Sequence, residues 1–327
     1  MAIYRNTTSE IIRPAIEQFQ EDVLNGLSAH PKFLQSKYFY DEEGDKLFQH
    51  IMESPDYYLT QCELEIFSHQ TKDLIPLSLI NDKNFDIIEL GAGDATKSIY
   101  LLEYLAKLNC EFKYFPIDIS EDVIKFLNKQ LPLKIPDLEV HGLNGEYAEM
   151  IEAANQISQK RKLVLFLGSN IGNFAPEDAV WFLKSLHESL APGDLLLIGF
   201  DLKKDPKQIL AAYNDRKGIT KQFNLNLLKR INRELDADFQ IDAFDHFPSY
   251  NPVSGSCRSY LISLKEQSVQ IGNELISLSQ FEPIFMELSQ KYSVSQVDAL
   301  STETGFKPVA HYYDSKRWFL DALWEKM

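Results

Sequence analysis

One phrase of this chain, Ile87-Ile-Glu-Leu-Gly-Ala-Gly-Asp-Ala-Thr-Lys97-Ser, has the residue types and spacing for ligand chemistry. An apolar run ending at Glu89 and Leu90 leads through Gly91 and Gly93 into a helical stretch. Such glycines let a strand turn sharply into a helix with the backbone close to a ligand. Three nucleotide sites use a turn of this kind. A dinucleotide fingerprint needs a third glycine where Thr96 stands. A phosphate-binding P-loop would use Lys97 and Ser98, but lacks a glycine at the same residue. The third pattern, acidic-x-Gly-x-Gly, misses no element and leaves room for an adenosyl ligand with an amino-acid tail and no phosphate. A purely structural tight connection also has this form. Asp118 closes the next apolar run, Tyr114-Phe-Pro-Ile-Asp118, where a carboxylate can accept hydrogen bonds from both ribose hydroxyls.

A second loop, Gly168-Ser-Asn-Ile-Gly-Asn173, follows the run Leu163-Val-Leu-Phe-Leu and precedes a helix opening at Pro176. Its small residues let carbonyls face a ligand, and the Asn173 amide can donate and accept. A turn with an asparagine cap is the plainer alternative. The seven histidines include no i,i+4 pair, so no helical metal site is expected. Cys62, Cys110 and Cys257 are odd in number and widely spaced, which predicts neither a disulfide framework nor a zinc knuckle and suits a reducing cytoplasm.

These loops need a framework, and the hydrophobic pattern supplies one. Strand-like runs over 85–90, 112–117, 138–140, 162–167 and 195–200 alternate with helical stretches from Ser120, near 146–154 and from Pro176. Such alternation predicts parallel βαβ units with right-handed crossovers. Beyond Asp201 the rhythm changes to helices over 206–213 and 220–235 and extended segments near 239–247, 256–264 and 275–278. A helix capped by Ser293 and running to Thr304 should follow, with strands over 309–313 and 318–323 returning to the sheet. An amphipathic helix is expected over 9–27. The expected division is a sheet domain of residues 61–201 and 291–327 and a smaller α+β substrate-binding lid of residues 1–60 and 202–290.

At 327 residues the chain exceeds the ~250–300 at which one core stops growing. With 33 basic residues against 48 acidic ones, the net charge of −15 would repel nucleic acid and anionic lipid. The start Met1-Ala-Ile-Tyr-Arg5 lacks the form of a secretory signal, and no run reaches the ~18 apolar residues of a membrane span. The expectation is a cytoplasmic, monomeric protein acting on a small molecule.

Seven phrases in order over nearly the whole chain resemble the L-histidine Nα-methyltransferases that open ergothioneine biosynthesis. They are Lys37-Tyr-Phe-Tyr-Asp41, Pro55-Asp-Tyr-Tyr-Leu-Thr60, Glu89-Leu-Gly-Ala-Gly93 with Lys97, Gly168-Ser-Asn-Ile-Gly-Asn173, Ala212-Tyr-Asn-Asp215, Asn232-Arg-Glu-Leu-Asp-Ala-Asp-Phe239 and Glu287-Leu-Ser289. The resemblance implies a Rossmann-like class I methyltransferase with a mostly parallel sheet, using S-adenosylmethionine, releasing S-adenosylhomocysteine and needing no metal. It implies that Glu89, Gly91, Gly93, Lys97, Asp118 and Asn144 hold that cofactor, and that Asn173 and Tyr213 hold the substrate carboxylate. Tyr57 and the Gly168 carbonyl would lie near the amine, with Tyr40 lining the same pocket. Glu287 and Ser289 would receive the imidazole nitrogens.

Residues i and i+2 of a strand point the same way, so Glu287 and Ser289 can converge on one ring, with Phe285 on that face. A neutral imidazole offers one N–H and one bare acceptor, which an ionised glutamate and a hydroxyl match and a phenyl group does not. Spacing alone would favour a solvated strand edge for this pair, and the resemblance reverses that preference. Ser259, in Cys257-Arg-Ser259-Tyr-Leu, stands where the histidine enzymes have a large apolar side chain, and His141-Gly-Leu-Asn-Gly-Glu-Tyr147 resembles the fungal branch, some of whose relatives methylate indole amino acids. The competing readings are therefore an N-methyltransferase for another amino acid or amine, a P-loop-like nucleotide-binding protein, and a non-catalytic interaction protein.

Overall fold

The apolar runs become strands, buried on both faces where the sheet is parallel. The computed structural model describes residues 15–327, apart from the side chain of Asp82. Its strands are β1 (Lys32–Phe33), β2 (Phe85–Leu90), β3 (Lys113–Asp118), β4 (Glu139–Val140), β5 (Leu143–Asn144), β6 (Arg161–Phe166), β7 (Leu195–Asp201), β8 (Phe244–Tyr250), β9 (Ser256–Ser263), β10 (Gln267–Ile271), β11 (Glu274–Leu278), β12 (Pro283–Gln290), β13 (Phe306–Tyr313) and β14 (Phe319–Lys326). By compactness the chain falls into two units.

The larger unit comprises Phe48–Ile219, Pro248–Arg258 and Leu288–Met327. It holds an eight-stranded sheet in the order β13-β14-β7-β6-β2-β3-β4, with β5 also on β3. The pairs among β7, β6, β2, β3, β4 and β5 are parallel, and β13-β14 joins β7 as an antiparallel edge. The fold is thus α/β with a mostly parallel sheet. Strand alternation divides the core between two faces. Ile87, Leu163, Leu165, Leu195 and Leu197 pack on one face, and Ile88, Val164, Phe166, Leu196 and Ile198 on the other. From β2 the chain steps outward through β3 to β4, then returns to β6 on the other side of β2. The reversal between β2 and β6 is the point at which open α/β sheets leave a crevice beyond the strand ends.

The division differs from the sequence expectation at four segments. Residues 48–60, 202–219, 248–258 and 288–290 lie in the sheet unit rather than with the lid. For the first two the reason is burial. Tyr58, Leu59, Cys62, Ile66 and Phe67 of the helix region Tyr58–Gln70, Ile209 and Ala212 of the helix region Pro206–Ala212, and Tyr213 just after it join the same apolar face as β2 and β6.

The smaller unit holds the described residues up to Leu47, Thr220–Phe247 and Ser259–Glu287. The helix expected over 9–27 runs Ala15–Ser28, and its residues 9–14 lie outside the described residues. Asp41 accepts from Asn226 Nδ2 at 2.7 Å and Arg233 Nη2 at 2.6 Å, tying the Tyr40 segment to the helix Ile219–Leu235. Burial pushes the Asp41 carboxyl up, and the bonds from Arg233, Gly44 and Asn226 overcome it to leave the pKa below its ordinary value. Asn232 clasps the backbone N–H and carbonyl of Phe239, each at 2.8 Å, which explains that phrase structurally. The sheet order here is β1-β12-β9-β8, with β10-β11 a separate antiparallel hairpin. Among the described residues no helix is long and apolar enough to cross a membrane.

Candidate active site

The turn after β2 owes its shape to its two glycines. Gly91 and Gly93 have φ of +69° and +52°, the left-handed region that disfavours other residues. A Cβ on Gly91 would lie 2.7 Å from Asn170 Nδ2 and 2.9 Å from the Tyr147 hydroxyl, so the turn is packed closely on that side. A Cβ on Gly93 would meet no atom within 4 Å, so that side is open. Asp118, at the end of β3, accepts from Gly93 N at 3.1 Å and Ser120 N at 2.9 Å. Burial raises its carboxyl pKa against the pull of those backbone donors. Asn144 pairs with Asp118 in the β3-β5 register, and its amide donates to the Asp118 and Ile119 carbonyls, each at 3.0 Å. The structure therefore brings Gly91, Gly93, Asp118 and Asn144 together at the carboxyl edge.

Glu89 lies beneath this edge, 2% exposed, and accepts from the Tyr114 hydroxyl. Desolvation pushes its carboxyl from 4.5 up to about 7 despite the bonds from Tyr114 and Ser98. A raised carboxyl contributes stability that is fully present below 4.5 and lost as pH rises through about 7, here about 3 kcal/mol. Glu89→Gln keeps an acceptor for Tyr114 and removes the titration. Its stability relative to the parent should therefore rise between pH 5 and 8, as followed by urea unfolding, and parallel curves would refute the assignment.

The loop after β6 reaches the same place. Gly168 N donates to both Glu63 carboxylate oxygens, at 2.8 and 2.9 Å, and Glu63 also pairs with the Lys97 ammonium. Lys97 lies just after the glycine turn, so the chain Lys97–Glu63–Gly168 ties the first loop to the second. Gly172 passes close to β12, where a Cβ would stand 2.8 Å from the Gln290 carbonyl oxygen. Asn173 ends this short 3-10 turn and is exposed.

A third cluster forms from Tyr57, Tyr213 and Ser289. The Tyr213 hydroxyl and Ser289 Oγ are 2.7 Å apart and buried, and the Tyr57 ring meets the Tyr213 ring edge-on at 6.2 Å. The expected residues of the smaller unit are Tyr40, edge-on to Phe223 at 5.7 Å, Ser259, 2% exposed, and Glu287, half-buried on β12.

Four residues of buried ion pairs beside these loops escaped the sequence reading: Glu63, Asp201, Lys204 and Lys291. Signals for two were present. Asp201 closes β7 as Asp118 closes β3, and Lys291 follows Ser289 by the same two-residue step that links Ser289 to Glu287. Glu63 and Lys204 gave none, because a charged residue in a helix or turn looks the same whether it is buried or exposed.

The profile of the family described as "Histidine-specific methyltransferase, SAM-dependent" matches residues 19–326. The chain belongs to this family. The histidine N-alpha-methyltransferase of Mycolicibacterium smegmatis is 32% identical over 302 residues, covering 92% of either chain. Ergothioneine biosynthesis protein 1 of Neurospora crassa is 32% identical over 288 residues, 86% of this chain and 32% of that longer protein. Among solved structures, magnesium protoporphyrin IX methyltransferase from Synechocystis, with bound SAH, has a TM-score of 0.45 at 12% identity, covering 89% of this chain and 98% of that one. The turn of this methyltransferase fits the adenosyl group its family requires. Gly93 leaves its open side clear, and Asp118 stands at the strand end beside it.

Proposed function

We propose that this enzyme transfers methyl groups from S-adenosylmethionine to the α-amino nitrogen of L-histidine, three times, to give trimethylhistidine. The observation that carries the reading is the junction of the two loops through Lys97, Glu63 and Gly168 beside the open Gly93 turn, in a chain of a histidine-specific family. The larger unit would be the cofactor domain and the smaller one the substrate-binding lid. Gly91, Gly93, Lys97, Asp118 and Asn144 would hold the cofactor, with Glu89 supporting the turn, and the bound cofactor would supply a methyl already activated on its sulfonium.

The protein's task is then alignment, which supplies several kcal/mol and at most ~7–11. Asn173 and Tyr213 would hold the α-carboxylate, Glu287 and Ser289 the imidazole nitrogens, and Ser259 a wall of the pocket. Tyr57 and the Gly168 carbonyl would flank the amine, and Tyr40 would line its approach. The attacking nitrogen must be neutral, so each of the first two products sheds a proton before the next round, through water or a tyrosine. The aromatic rings would also favour the growing quaternary ammonium by cation–π attraction. The reading places a metal-independent monomer in the cytoplasm.

Incubation with labelled S-adenosylmethionine and a panel of amino acids should give label predominantly on histidine, with a product carrying three methyl groups by mass spectrometry. Equal inertness across the panel would overturn the substrate. Preferential labelling of an indole amino acid would transfer the same chemistry to a different side chain.

A further inference from the structure

A carboxyl lies where the sheet is otherwise apolar. Asp321 stands on β14 between Phe319 and Leu323, which pack with the leucines of β6 and β7 on one face. It is 0% exposed, and among the described residues neither of its oxygens meets a donor. Its register partner on β7 is Gly199. A Cβ on Gly199 would strike Glu63 Oε1, so the glycine is what lets the Glu63 carboxyl settle on this face. Glu63 is the hydrogen-bonding neighbour of Asp321.

An ionised carboxylate only accepts, so a hydrogen bond between two carboxyls requires a proton on one of them. Glu63 already accepts from the Lys97 ammonium and from Gly168 N, which leaves the proton to Asp321. Burial, with the charge of Glu63 added to it, pushes the Asp321 carboxyl well above the usual range against the attraction of Lys97. The Glu89 carboxyl acts on the same ammonium, so three carboxyls surround one cation, and a neutral Asp321 relieves their repulsion. Two other groups face this point and are engaged elsewhere. Asp201, further along β7, pairs with Lys204 and Lys291, and Tyr312, opposite on β13, donates to the Asp73 carbonyl.

Lys97, 21% exposed against 1% for Glu63, is the accessible end of their pair. An ammonium has three N–H groups, and an ionised Asp321 would draw one of them inward and repel Glu63. We infer that Asp321 is a positioning residue for the cofactor: as a neutral acid it donates to Glu63, holding that carboxylate on Lys97 and Gly168 and leaving the outer N–H groups of Lys97 to the ligand. The inference rests on the proposed function for placing the cofactor at Lys97.

The test uses the full chain with Asp321→Asn and Asp321→Leu. An infrared difference spectrum, parent minus Asp321→Asn at neutral pH, should show the carbonyl stretch of a protonated carboxyl, and its absence would overturn the inference. By titration calorimetry Asp321→Leu, which has no donor for Glu63, should bind S-adenosylmethionine about tenfold or more weakly than the parent. Its KM for the cofactor should rise in step, with kcat at saturating cofactor within about twofold. The amide of Asp321→Asn can still donate to Glu63, so this variant should recover most of the loss and stay within about threefold of the parent. An asparagine variant as weak as the leucine variant would overturn the donor role. A purely structural role would lower the melting temperature of Asp321→Leu and leave its cofactor affinity unchanged, which also overturns the inference. If the leucine variant does not fold, Asp321→Ala removes the donor without adding bulk and is read in the same way. A parent that binds no cofactor overturns the proposed function and this role with it, while the infrared band still decides where the proton sits.

Discussion

Replacing Glu287 by alanine should weaken L-histidine binding by about a hundredfold, with S-adenosylmethionine affinity within about twofold of the parent. Glu287 is half-buried on β12, and strand alternation puts Phe285 on its face while Ile284 and Met286 are buried on the other. A hydrogen bond from an imidazole N–H to an ionised carboxylate contributes about 1.5–3 kcal/mol, and each 1.4 kcal/mol is tenfold in affinity. Glu287→Gln, which can still accept the N–H, should fall between parent and alanine. The residues proposed to hold the cofactor lie in the other unit, so the two affinities should separate. Titration calorimetry with each ligand checks this, and a histidine affinity within threefold of the parent would remove Glu287 from the pocket.

The second large effect is expected at Gly93. Substitution by valine places a branched side chain at φ +52°, which costs about 1–2 kcal/mol, but meets no atom of the protein at Cβ. The fold should therefore survive with a modest loss of melting temperature. The open side of the turn is where the cofactor would pass, so its affinity should drop by more than about a hundredfold. Gly91→Val should differ, because at φ +69° its Cβ would also have to displace the Asn170 amide and the Tyr147 hydroxyl, adding a repacking cost to the backbone strain even without ligand. Cofactor affinity in Gly93→Val equal to that of the parent would mean that the turn is a connection and nothing more.

The sheet unit was legible because each of its signals is local. The runs at Phe85–Leu90 and Leu195–Asp201 are buried at every position and punctuated by turn residues, so composition alone announces parallel strands. Ser120 and Ser293 cap their helices by accepting from Val123 N and Gln296 N, as their place in the sequence suggests. Strand β10 was missed although Gly272-Asn273 between Ile271 and Glu274 is a two-residue hairpin signal, because the polar Gln267-Ser-Val-Gln-Ile271 reads as loop.

The site was legible only in part, for a different reason. Gly91, Gly93 and Asp118 declare themselves through conformation and strand-end position. The groups of the buried ion pairs, Glu63, Asp201, Lys204 and Lys291, are identified by what they touch. A buried lysine is exceptional and must be paired, yet nothing in its neighbours along the chain marks it as buried. Such networks emerge from tertiary packing, which places Lys291 against Tyr213 at a separation of 78 residues.

The account depends on an adenosyl sulfonium held over the Gly91–Gly93 turn and delivering its methyl to an amine. Titration calorimetry of S-adenosylmethionine into folded full-length protein tests this most directly. One saturable site per chain, weakened in Gly93→Val, is the result expected. Absence of heat and of any shift in melting temperature at millimolar cofactor, from protein with a cooperative unfolding transition, would contradict it.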